Sequence, residues 1–414
     1  MDPRTRRSLL MATAILTGLL VAGCDNPPDA GADPATGSPG TSQPQRRTFD
    51  PPTRFDPAAA VRLPDEVAVL AEARRDPPGV LYKTTLYVPT RQGLLRVDTS
   101  TGQIVGTVTG HREPWTSHSH RPLLAEVGGV PAVLVPFGVT VPGSGTTPSR
   151  PALEIHAVAA EDGKELFSVE VPVYAGSPAV VAASDEMLLL NGGLDAYGTG
   201  GTVYGIDPQT GKVRWQREDF HVTVVEDGLA IGVAQEGRHF RKAMAIRIAD
   251  GGEQWSDAET STSRLRVQSA GPGRLLIIGV DGRDYRKGYY RFADVRTGAG
   301  EPQPARTTLD YTCRFDQVSI TVCSGPLLFA MDTKTGEEVW RLPDEKANRI
   351  APAVTAAWHG AVYGTTENGP LVLDARTGAD REISAGAAPF LVNEYVGIAE
   401  IGRGDGVFAV PPAA

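Results

Sequence analysis

One phrase recurs along this chain and limits what the chain can fold into. At its clearest it reads Tyr204-Gly-Ile-Asp-Pro-Gln-Thr-Gly-Lys-Val-Arg-Trp215: a short strand, a tight turn, and a second strand carrying tryptophan. Asp207 is placed to accept a backbone N–H within the turn, and Gly211 to take a positive φ that a Cβ would oppose. The phrase returns as Ala330-Met-Asp-Thr-Lys-Thr-Gly-Glu-Glu-Val-Trp340, in weaker form at Asp98, Asp294 and Asp374, and degenerately at Glu161-Asp-Gly163 and Asp250-Gly-Gly-Glu-Gln-Trp255. Taking the anchor glycines as 102, 163, 211, 252, 298, 336 and 378, the spacings are 61, 48, 41, 46, 38 and 42. A period of that size in a chain of short strands predicts a single all-β propeller of four-stranded antiparallel blades.

The clearest blade places strands at 353–358, 361–365 and 371–374, with turns at His359-Gly360 and Asn368-Gly369. Residues 179–183, 187–190, 222–225, 229–233 and 274–280 fall in line with it. After Gly378 the sequence supplies only three more strands, at 389–392, 395–399 and 406–410. Residues 58–63 can provide the missing fourth, closing the ring with strands from both ends of the propeller and removing the exposed edges. Seven marked turns plus this shared blade favour eight blades, with seven as the alternative. Residues 65–75 are the one stretch with any helical character. Trp215, Trp255 and Trp340 share one phase of the repeat, which predicts that they dock neighbouring blades.

The N terminus carries an address. Arg4, Arg6 and Arg7 precede an apolar run from 8 to 21, too short for a stable membrane span, followed by Val21-Ala-Gly-Cys24. Small residues before a cysteine resemble a lipobox, with cleavage after residue 23 and diacylation of Cys24. Arg6-Arg7 also resembles a twin-arginine export signal. Residues 24–54 are rich in Pro, Gly, Ser and Thr and predict a disordered tether reaching on the order of 30 Å. The propeller is expected over 55–414. These features predict an exported chain held on the outer side of the cytoplasmic membrane, at the cell surface or in the periplasm. In that setting Cys313 and Cys323 are expected to form a disulfide.

The phrase Ala-x-Asp-x-x-Thr-Gly-x-x-x-Trp resembles the tryptophan-docking repeat of the pyrroloquinoline quinone (PQQ)-like β-propellers. The layout of lipobox, tether and ring is similar to the propeller lipoproteins of the outer-membrane β-barrel assembly machinery, a branch that binds proteins and has no catalytic site. Quinone dehydrogenases of this fold set their cofactor over adjacent cysteines; none are adjacent here, so no PQQ and no other cofactor is expected.

A net charge of −9, moving to −11 once Asp2 and three arginines leave with residues 1–23, argues against nucleic acid as a partner. On such an acidic chain two stretches between expected second and third strands are basic and aromatic. One holds Arg238, Phe240, Arg241 and Lys242, the other Arg283, Tyr285, Arg286 and Lys287. Residue types of that kind concentrate in interface hot spots. They point to a monomeric scaffold that binds an envelope protein or an anionic polymer. The alternative is a small-ligand or metal-binding sensor, or an enzyme with a pocket at the channel mouth. His118 and His120, with His111 upstream, are weak candidates for a metal there, since alternate residues of a strand share a face.

Overall fold

The computed structural model describes residues 48–73, 76–115, 121–171, 178–192, 201–237, 240–257, 264–280, 288–305, 311–402 and 406–413. Expectations that fall on residues 1–47, including Cys24 and most of the tether, lie outside them.

Among the described residues the propeller unit, Arg46–Ala414, holds 8 four-stranded antiparallel sheets. We number the blades in chain order. Blades 1 to 7 occupy 80–108, 123–171, 179–217, 220–256, 264–305, 312–342 and 353–382, each with its four strands in sequence order. Blade 8 is composite: Leu391–Val392, Gly397–Glu400 and Val407–Val410 come from the C-terminal side, and Val61–Arg62 pairs with the last of these as Val61↔Ala409 and Arg62↔Phe408. The first strands of successive blades adjoin from blade 2 round to blade 8.

The core is divided among the junctions. Each of the eight blade-to-blade junctions has its own hydrophobic cluster, including the one between blade 8 and blade 1. The count is therefore eight and the ring closes. Second strands are covered by a neighbour on both faces, so they read as largely apolar runs: Leu188–Asn191 is buried throughout, and Arg274–Val280 after its first residue. Fourth strands have little cover and stay exposed, as in Val213–Arg217. At the closing junction Leu63, Val67 and Leu70 are buried between blades 8 and 1. Val67 and Leu70 lie in a short 3-10 turn, Asp65–Ala68, and a single helical turn, Val69–Glu72, in the one stretch with helical character in the sequence.

The repeated turn works as its residues suggest. Asp207 Oδ1 accepts the N–H of Gln209 (3.0 Å) and Thr210 (2.9 Å), and Gly211 sits at φ 67°. Asp294, Asp332 and Asp374 repeat the arrangement. One anchor moves: in the degenerate copy the left-handed glycine is Gly251 (φ 69°) rather than Gly252, because Gly251 N–H closes the turn onto the Arg247 carbonyl.

The tryptophans lock blade to blade. Trp215 Nε1–H donates to the Ile248 carbonyl of the next blade (3.0 Å), Trp255 to Val295 (2.9 Å) and Trp340 to Ala375 (2.8 Å). Each ring lies on the turn glycine of that next blade; a Cβ on Gly251, Gly298 or Gly378 would stand within 2.7 Å of the indole. Two blades without the tryptophan use other side chains. From blade 5, Arg274 Nε donates to the Thr333 carbonyl at the same phase (3.2 Å) and its guanidinium covers Gly336. In blade 1 two side chains act together, Tyr87 Oη donating to the Ala160 carbonyl (2.9 Å) and Arg96 covering Gly163. Cys313 and Cys323 face each other across the first two strands of blade 6 and are joined by a disulfide, the pairing expected from the sequence.

Candidate functional site

In each blade the second strand turns into the third at one face of the ring, and the expected basic stretches fall there. In blade 4 the hairpin is tighter than expected. Leu229–Glu236 and Phe240–Arg247 pair up to Glu236↔Phe240, so Arg241 and Lys242 belong to the ladder, opposite Gln235 and Ala234, and point to opposite sides of the sheet. Lys242 forms an ion pair with Glu236. Arg238, Arg283, Tyr285, Arg286 and Lys287 lie outside the described residues, as does the Phe240 side chain; blade 5 brackets its stretch with Arg274–Val280 and Gly288–Asp294. The sequence missed an apolar groove on the same face, between blades 6 and 7. It has a volume of about 470 Å³ and is lined by Leu342, Ile350, Leu371 and Ile383. Ile350 and Ile383 remain 48% and 71% exposed, and the Arg349–Asp380 ion pair (2.6 Å) forms part of the lining.

A second polar assembly lies where blade 1 meets blade 2. Glu154 and His156 sit two apart on the third strand of blade 2, Arg150–Ala159, and so share a face; the first is 5% exposed and the second 0%. The connection from blade 1 runs beside the second strand of blade 2, with Trp115 N–H donating to the Gly138 carbonyl (2.9 Å), and it brings His111 and Arg112 over that face. His156 Nδ1 lies 3.1 Å from Glu165 Oε2 and its Nε2 3.4 Å from Glu154 Oε2. His111 Nε2 meets the same Glu165 oxygen at 3.1 Å. Glu154 Oε2 accepts the His111 backbone N–H (2.7 Å), while Oε1 is 3.2 Å from Arg112 Nε. Arg112 reaches on to Glu170 (2.8 Å), which also holds Arg150 (2.7 Å). His118 and His120 lie outside the described residues. Glu154 and His156 gave no local signal, being one alternating pair among many; only the fold brings them to His111.

The family model of the outer membrane protein assembly factor BamB matches residues 151–282. The BamB-like stretch runs from the third strand of blade 2 to the end of the second strand of blade 5, and it includes two of the three docking tryptophans. No curated protein matches the chain. Solved structures similar to it include BamB from Moraxella catarrhalis, at 14% identity over 87% of this chain and 100% of that one, with a TM-score of 0.44. The Dos1 propeller matches at 9% identity over 79% and 89% of the two chains, TM-score 0.49. The quinohemoprotein alcohol dehydrogenase ADHIIG from Pseudomonas putida HK5 matches at 11% identity over 78% and 69%, TM-score 0.40. At these identities and scores the neighbours carry no argument about chemistry.

Proposed function

We propose that this chain is a lipid-anchored scaffold of the cell envelope that binds a protein partner through the hairpin face of its ring. The observation that carries the reading is the BamB-model match over residues 151–282, set in a closed eight-bladed ring. A ring joined at every junction presents its hairpins on a rigid support, and loops on rigid supports are where recognition residues collect. The contact is assigned to the basic hairpins of blades 4 and 5 and to the neighbouring apolar groove. The lipobox-like run ending at Cys24 is assigned as the anchor; among the described residues no helix is long and apolar enough to cross a membrane. The reading involves no cofactor and no catalysis.

The test is proximity crosslinking of the full-length protein in native membranes, beside Arg241→Glu/Arg286→Glu, Ile383→Glu and Cys24→Ser. One envelope protein should be recovered, falling at least about fivefold in one of the first two variants, as loss of a hot-spot contact implies. The capture should also weaken with added salt. Cys24→Ser should leave the membrane fraction. Identical capture by wild type, both face variants and an unrelated lipid-anchored protein would overturn the reading.

A further inference from the structure

We propose that His111, Glu154 and His156 hold one divalent metal ion of the zinc class at the junction of blades 1 and 2. One ligand atom from each of the three lies within 4.8 Å of the others. The His156 Nε2 to Glu154 Oε2 distance, 3.4 Å, matches the edge of a tetrahedron whose corners stand about 2.0–2.1 Å from a central zinc, roughly 3.3–3.4 Å.

The hydrogen-bond geometry of His156 argues for the ion. A neutral imidazole has one N–H, yet both nitrogens of this fully buried ring face carboxylate oxygens. If Nδ1–H donates to Glu165, the Nε2 lone pair points at an oxygen of Glu154, and two acceptors confront each other at 3.4 Å. A cation between them turns that repulsion into two bonds. Glu165 Oε2 also meets His111 Nε2, which leaves Nδ1 as the coordinating nitrogen of His111. A carboxylate that takes the second N–H of a histidine, fixing its tautomer and raising its basicity, is the usual outer partner of a metal-bound imidazole. Here one oxygen serves two rings.

The remaining contacts suit the same role. Arg112 and the His111 backbone N–H hold Glu154 in place and still leave Oε2 a lone pair. Three carboxylates, Glu154, Glu165 and Glu170, stand against two guanidinium groups, Arg112 and Arg150, so the assembly has a negative charge to offset a cation. The His111 side chain is 58% exposed, which gives the ion a route in and leaves its fourth position to water. Two imidazoles and one carboxylate are zinc ligands by type. The bound ion would pin the connection around 110–115 onto blade 2.

The full-length protein, stripped with a chelator, is titrated calorimetrically with zinc chloride. One equivalent should bind, and saturation should raise the thermal midpoint. His111→Ala should bind at least about 100-fold more weakly while keeping the metal-free midpoint of wild type, since its side chain is exposed. Glu165→Gln should weaken binding about 10–100-fold, the usual effect of removing an outer partner. His118→Ala/His120→Ala should bind as wild type does. Wild type taking up no zinc would overturn the proposal. So would uptake unaffected by His111→Ala.

Discussion

At the scale of residues, the blades are held together by one side chain resting on one turn. Trp215 gives its N–H to the next blade and covers Gly251 with its ring. Trp215→Ala removes a half-buried indole and a hydrogen bond, and should cost about 3 kcal/mol, toward the low end for such truncations. Urea unfolding would measure it. Gly251→Ala places a Cβ at positive φ and 2.7 Å from that ring, whereas a Cβ on Gly252 meets the movable end of Arg247. The first substitution should cost more than about 1 kcal/mol and the second distinctly less; equal losses would contradict the assigned turn. The tryptophans were legible in the sequence because one residue type returns at one phase. Arg96 was not: it stands on the third strand of blade 1, opposite Gly106, where later blades pair a small residue with the tryptophan, as in Gly205↔Trp215. A swap across the ladder keeps the cover on the turn while erasing the pattern. Adjacent glycines misled for a simpler reason, since either Gly251 or Gly252 can take the left-handed position, although the four-residue step to Trp255 selects the first.

At the scale of elements, the strands of blade 7 were readable because apolar runs there end at glycine turns, and those of the composite blade because short apolar runs there are broken by polar or glycine-containing turns. The hairpin of blade 4 was drawn as a long loop because charged residues at 236–242 look solvated, yet pairing continues to Glu236↔Phe240. The polar assembly at blade 2 was legible only in part: His111 stands out in a histidine-rich run, but its partners come from a strand more than forty residues away. Blade 6 has the covalent brace between its first two strands. Cys313→Ser/Cys323→Ser should lower stability by about 2–3 kcal/mol, the value for so short a closed loop. The loss should appear in thermal unfolding and be matched by wild type under reducing conditions. The first two strands of blade 6 are already paired by the ladder, so the fold itself should survive.

At the scale of the whole molecule, the same acidic turn is used in blade after blade, and this makes the ring sensitive to acid. Arg214 and the backbone N–H of Thr210 lower the Asp207 carboxyl to about 2. Asp250 is held below its ordinary value mainly by Arg247, Asp332 by the backbone N–H of Thr335, and Glu382 by that of Ser384. A carboxyl with a depressed folded value stabilises the fold above its unfolded value, near about 3.9–4.3, and that contribution fades as pH falls toward the folded value. Urea midpoints should therefore hold from neutral pH down to about pH 4 and fall steeply from there to about pH 2. Arg214→Ala should lower the midpoint at neutral pH and make the fall below about pH 4 smaller, because the folded Asp207 carboxyl then titrates nearer its unfolded value. A flat profile through that window would count against the turns as a common source of stability.

Blade 8 also places folding in time. Val61 must wait for Ala409, and Phe55 for Pro412, so the earliest strand of the propeller has no partner until residue 409 has been made. At a synthesis rate of roughly 5–20 residues per second that wait is about 20–70 s. The ring is thus completed only once Val407–Val410 has emerged to pair with Val61–Arg62. Whatever machinery meets the polypeptide during that interval meets an open arc, with the faces of blade 1 and blade 7 still uncovered. Under the proposed export, closure before or after the crossing of a membrane decides which compartment first contains a finished molecule.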